Sequence, residues 1–189
     1  MAQHRAGLRW RLREETRETH KRLDYQVSAL DIATRAGLEA FLTGNALAHR
    51  ALIPFDFEFD GHMARRMALI ERDLDTLGVS HAAKTPSVTA PSEASAPGFR
   101  YVIAGSAMGG RVLLRRHGAS ADESLHDADH LLSDPRLDEY WEEVQAELTK
   151  LPETGPAADA VIAGANACFA LFAAAFEAAA PGLPAIAAE

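Results

Sequence analysis

Arg13, Thr16, Arg17, His20 and Asp24 recur at steps of three and four along a charged, amphipathic segment near the start of the chain. On an α-helix that spacing places them one above another along a single edge. Leu8, Leu12, Thr16, Thr19, Leu23, Val27 and Leu30 follow the same rhythm and mark a face that meets a core. His20 therefore stands where a polar edge borders apolar ground. A neutral imidazole there can ligate a metal ion, and the Arg13 guanidinium, roughly 10 Å away along the axis, can pair with an anion. The same residues also suit a surface helix laced with salt bridges, in which His20 has no special part.

A second chemistry-bearing stretch runs from Tyr101 to Arg116, where Gly105, Gly109 and Gly110 interrupt an otherwise helical pattern. Each glycine costs about 1 kcal/mol relative to alanine inside a helix. Gly105 and Gly109 are one turn apart, so with Gly110 they strip side chains from one face and let a flat ligand approach the backbone. Adjacent glycines also ease kinking. Close packing of this helix against another explains them equally well. Arg111, Arg115 and Arg116 add positive charge, from which a carboxylate partner could be drawn; a solvated basic face is the alternative. A flat ligand with a metal at its centre and anionic groups at its edge matches both stretches, and heme, with its iron and two propionates, has that form.

The run from Leu12 to Asp24, LREETRETHKRLD, resembles the proximal-helix signature of the biliverdin-producing heme oxygenases, and GSAMGGRVL from Gly105 resembles their distal-helix signature. Arg65-Arg66-Met67 together with Asp73-Leu74, Thr76, Leu77 and Gly78 is similar to the connecting helix of the bacterial, bacteriophytochrome-associated members. Leu137 to Trp141 and Asn166 to Phe169 match later family positions loosely. The resemblance implies an all-α, single-domain bundle with heme sandwiched between a proximal and a distal helix. It implies His20 as the iron ligand, with Arg13, Thr16, Asp24, Tyr101, Gly105, Arg111 and Phe169 binding the cofactor, Arg13 toward a propionate. It places Ser106, Gly109 and Gly110 on the catalytic side. The implied activity opens heme b, substrate and cofactor at once, with O2 and electrons from an external donor protein such as ferredoxin. The products are biliverdin, iron and CO, and a bacteriophytochrome is the implied biliverdin acceptor.

Many family members carry aspartate immediately after the first distal glycine, where it orders water for proton delivery; here that residue is Ser106. A serine hydroxyl holds water but does not titrate near neutral pH. A heme-binding protein without turnover, or a bundle serving only structure or partners, are the alternatives. Glu123-Ser-Leu-His126 and Asp127-Ala-Asp-His130 echo the Glu-x-x-His pattern of di-iron bundles, which needs the motifs on different helices. Both lie on one short segment, read as a solvated polar turn or helix. His4, His49, His62, His81 and His117 offer no comparable constellation.

Positioning these groups falls to helices, since apolar residues repeat at helical spacing and no strand-like alternation persists. The 189 residues, 48% hydrophobic and 24% charged, suit one domain, 1–189. The pattern predicts helices over 8–30, 34–53, 62–77, 99–117, 135–150 and 156–180. Gly78 closes the third, Pro97-Gly98 shortens the fourth, and Ser133-Asp134-Pro135 and Thr154-Gly155-Pro156 open the last two with a side-chain cap and a first-turn proline. Residues 79–98 read as a long surface connection and 181–189 as a frayed tail. The apolar stretch 161–176 reads as a buried core helix, too short for a span. A net charge of −8 argues against nucleic acid and anionic membrane as partners, so an anionic ligand needs a local basic patch. A lone Cys168 and a start without a secretory apolar run point to the cytoplasm.

Overall fold

The computed structural model describes residues 7–80 and 84–181. Among them are seven α-helices and no strand. They are α1 (Leu8–Glu15), α2 (Arg17–Ala29), α3 (Arg35–Leu52), α4 (His62–Thr76), α5 (Ala96–His117), α6 (Arg136–Leu148) and α7 (Pro156–Ala179), with 3-10 turns at Ile53–Phe59 and Glu123–Leu125. The expected all-α architecture is what folds. The tail beyond 181, His4 and His81 lie outside the described residues.

α7 is the centre. It packs against α1, α2, α3 and α5, while α4 leans on α3 and α6 on α5. Val161, Ala165, Cys168, Leu171, Phe172 and Phe176 are all buried on it. With 24 residues α7 is longer than its apolar stretch suggests and by length and composition could cross a membrane, but here its apolar surface is spent on the bundle. Backbones approach closely around it: a Cβ on Gly98 of α5 would lie 1.9 Å from the Val161 carbonyl oxygen, and one on Gly164 of α7 would lie 2.2 Å from that of Ser95.

Local signals explain most helix ends. Thr34 caps α3 by accepting the Gly37 N–H at 3.2 Å. Gly78 at φ +65° ends α4, with Val79 N–H donating to the Leu74 carbonyl and Gly78 N–H to that of Asp75, the paired bonds of a Schellman motif. Four expectations need correction. The segment 8–30 is two helices, broken at buried Thr16, whose hydroxyl donates to the Leu12 carbonyl at 2.7 Å; such back-bonding bends helices. α5 begins at Ala96, taking Pro97 and Gly98 into its first turn, where proline's missing N–H is no loss. α6 begins at Arg136, with Pro135 at its cap rather than at its first position, and Asp134 accepts the Arg136 N–H at 3.0 Å. α7 opens on Pro156 as expected, but Gly155, at φ +88°, stands at its cap and no side chain caps this end.

The segment holding Glu123 to His130 is a short 3-10 helix and turn, with Glu123, Ser124, His126 and Asp127 exposed as expected and His130 tied inward. His130 donates its backbone N–H to fully buried Asp73 at 2.9 Å and sets its ring Nδ1 2.6 Å from the same oxygen, while His126 lies 3.2 Å from the Ser120 carbonyl. Among the described residues no cluster of three or more potential ligands could hold a metal ion, the Glu-x-x-His repeats included.

Candidate functional site

α2 and α5 face each other across a cavity of about 1020 Å³, at the upper end of the ~300–1,000 Å³ typical of small-molecule sites. Its wall contains all of Arg13, Thr16, His20, Asp24, Tyr101, Gly105, Ser106, Gly109, Gly110, Arg111 and Phe169. Arg115 and Arg116 are not part of it, so of the three distal arginines only Arg111 meets the cavity.

On the α2 side, the His20 side chain is 58% exposed, and its Nε2 lies 3.5 Å from Asp24 Oδ1. That is too long for a good hydrogen bond, so the nitrogen stays available to a ligand. Phe169 of α7 backs the ring, centroids 5.3 Å apart. Thr19 ties α2 to α7 through Asn166 Oδ1 at 2.8 Å. Thr16 is buried and its hydroxyl is used on Leu12, so what it contributes is the bend that sets α2 against the cavity. Arg13 lies on α1 and Asp24 on α2, both exposed; among the described residues Arg13 has no ion pair, whereas Arg17 and Lys21 reach Glu18.

On the α5 side, the glycines are not there for packing. A Cβ on Gly109 or Gly110 would meet nothing within 4 Å, and one on Gly105 would touch only Trp141 of α6 at an ordinary 3.7 Å. They leave bare backbone along the cavity. Tyr101 tilts against Trp141, centroids 5.8 Å apart, and burial raises its pKa despite Arg9 and Arg13 nearby. The Ser106 hydroxyl donates to the Ile103 carbonyl at 2.6 Å. Arg111 donates through Nη2 to Asp138 on α6 at 2.6 Å, both exposed.

At the inner end lies a network that the sequence reading passed over. His49 of α3 sets Nδ1 2.8 Å from the Asn45 carbonyl and accepts Arg66 Nε–H on Nε2 at 3.1 Å. Burial, reinforced by the Arg66 charge, pushes the His49 pKa down to about 3, so the ring is neutral, with its hydrogen on Nδ1. Burial also lowers Arg66, to about 10, against the pull of Asp134, leaving it charged. Burial alone would raise Asp134, but two hydrogen bonds from Arg65, at 2.6 and 2.7 Å, and charge from Arg65 and Arg66 hold it below the usual carboxylate range. Nη1 of Arg66 has no hydrogen-bond partner. The signal for this group was Arg65-Arg66 beside the apolar positions of α4, with His49 and Asn45 one turn apart on α3.

Six cations and four carboxylates line the cavity in a chain with 27 acidic against 19 basic residues, so it is the local basic patch an anionic ligand requires. The arrangement joins an accessible imidazole, a bare glycine backbone opposite it, arginines at the open side and aromatic walls from Phe41, Phe172 and Phe176. These residues fit heme: the side-chain-free strip admits a flat macrocycle, His20 can ligate its iron, and the arginines can pair with its carboxylates.

Over 111 residues the chain is 37% identical to the heme oxygenase of Xanthomonas campestris pv. campestris (strain 8004), a match covering 57% of this chain and 65% of that protein. The chain thus spans just under two thirds of that relative's length. No protein-family model matches the sequence.

Proposed function

We propose that the protein is a heme oxygenase that binds heme b between α2 and α5 and opens it to biliverdin, iron and CO, using O2 and electrons from an external donor protein. The observation that carries this reading is the pairing across one cavity of His20, unencumbered by a strong hydrogen bond, with Gly109 and Gly110, where an added Cβ would meet open space. The similarity to a named heme oxygenase supports it independently.

Bound heme would supply the redox-active iron and is itself the molecule consumed. His20 is the neutral ligand that leaves such an iron reducible, with Phe169 fixing the tilt of its ring and Asp24 accepting charge at its edge. Arg13 and Arg111, both on the cavity wall, would hold the propionates. The Gly109-Gly110 backbone keeps side chains off the distal face while its bulk restricts access to the ring. Arg66 and His49, bonded to each other and buried, close the inner end of the cavity. We further place the protein in the cytoplasm, as a bacteriophytochrome-associated enzyme that passes biliverdin to such a partner.

A carrier that binds heme without turnover is the second reading, favoured by the Ser106 hydroxyl, whose hydrogen is committed to Ile103. Purified protein, one equivalent of heme, ascorbate or reduced ferredoxin, and catalase separate the two. Biliverdin absorbance growing in the presence of catalase is the expected result. Heme that stays bound and intact would favour the carrier, and no saturable heme binding would leave only a structural bundle.

A further inference from the structure

The closed end of the cavity holds a donor that the protein does not use. The Arg66 side chain is 6% exposed, and its Nη1 lies 3.7 Å from Asp134 Oδ2, beyond hydrogen-bonding reach, with no other partner among the described residues. Its Nε–H is bound to neutral His49, so the guanidinium cannot turn without breaking a buried bond. Asp134, the only carboxylate beside it in the cavity wall, is already held by both terminal nitrogens of Arg65. Arg66 lines the cavity while its Nη1 has almost no surface open to it, so the unpartnered N–H is met by an acceptor from outside the protein only as binding uncovers that edge of the guanidinium.

The chemistry of that acceptor follows from the two ends of the cavity. Arg13, Arg17, Lys21 and Arg111 are exposed and attract carboxylates. A tetrapyrrole whose propionates meet them turns its opposite edge toward Arg66, Leu131 and Phe172. On a closed macrocycle that edge is hydrocarbon and gives Nη1–H nothing to bond. A linear tetrapyrrole opened there ends in two lactam carbonyls, both good acceptors. Apolar walls make such a neutral oxygen cheaper to desolvate than a further carboxylate.

Resting on the heme oxygenase reading, we propose that Arg66 is a product-recognition residue, donating from Nη1 to a lactam carbonyl of an opened, linear tetrapyrrole. His49 and Asp134 are the positioning residues that hold the guanidinium in place. The cavity therefore distinguishes the opened chain from the closed ring at its inner end, and the two from other flat molecules at its cationic end.

The test compares two ligands on each protein. Biliverdin is titrated by absorbance, and zinc protoporphyrin IX, a closed ring with the same propionates, by fluorescence, on the full chain and on Arg66→Met. The expected result is biliverdin binding weakened about tenfold or more, as befits a lost charge-assisted hydrogen bond, with zinc protoporphyrin changed by less than about threefold. Equal losses for both ligands, or a loss for neither, would overturn the proposal; an ordered water on Nη1 in place of the lactam gives the latter. If Arg66→Met does not fold, His49→Leu keeps the guanidinium but releases its Nε, and the same selective weakening of biliverdin is expected, with an unchanged ratio counting against the proposal. Wild-type protein that binds neither tetrapyrrole overturns the heme reading itself, whereas wild-type that binds both with an unaltered ratio in the variants overturns only the role of Arg66.

Discussion

At Gly98 an added Cβ would lie 1.9 Å from the Val161 carbonyl oxygen, whereas at Gly109 and Gly110, further along the same helix, it would meet no atom within 4 Å. One end of α5 uses glycine to bring two backbones together, and the other uses it to keep a surface bare. The first kind is explained by the fold: Gly98 and Gly164 let α5 cross α7, whose central position everything else depends on. The second kind is not explained by the fold, since alanine at either position would be a better helix former by about 1 kcal/mol. A ligand lying against the strip is what accounts for it.

Substitution should separate the two regions. Gly98→Ala forces the Cβ into backbone atoms that cannot turn aside, so denaturant unfolding should show a loss near the upper end of the about 1–3 kcal/mol typical of overpacking. Gly109→Ala and Gly110→Ala should act oppositely on the two readouts: unfolding free energy rises by about 0.5–1 kcal/mol, while heme affinity falls by about 1–3 kcal/mol as the methyl group meets the ligand. A destabilised Gly109→Ala with unaltered heme binding would erase the distinction between the halves of α5.

A pH-dependent effect concerns the inner end. His49 is neutral in the fold, its pKa pushed by burial to about 3 from an ordinary 6.5. Below pH 6.5 the unfolded chain takes up a proton there that the folded chain refuses. Stability contributed by the neutral ring is thus intact above pH 6.5 and declines on acidification toward 3, by up to about 1.4 kcal/mol per pH unit. Denaturant titrations at several pH values should show this slope, and His49→Gln should flatten it; an equal slope in both proteins would mean that the ring is not held neutral.

The elements that could be read from the sequence were those whose evidence is local. Helical periodicity located the helices, though it ran α1 and α2 together as one; Gly78 and Thr34 marked ends through bonds spanning a few residues, and the residues from Arg13 to Asp24 fall on two short helices of one wall. The glycine strip could be found but not interpreted, because sequence cannot say whether a bare face meets a helix or open space. The bend at Thr16 depends on a hydroxyl choosing a backbone carbonyl. His49, Arg66 and Asp134 come from α3, α4 and the turn before α6, and each is unremarkable until the fold brings them within reach of one another. His130 looked like part of a ligand pattern for the same reason in reverse: its partner, Asp73, is on another helix and buried.

The claim on which the rest stands is that this cavity binds heme through His20. Titrating heme into the protein while recording the absorption spectrum, with His20→Ala alongside, tests it directly. Saturable one-to-one binding with a histidine-ligated spectrum, lost in His20→Ala while the variant remains folded, is the result expected here. Binding that fails to saturate, or a His20→Ala spectrum identical to that of the wild type, would contradict it.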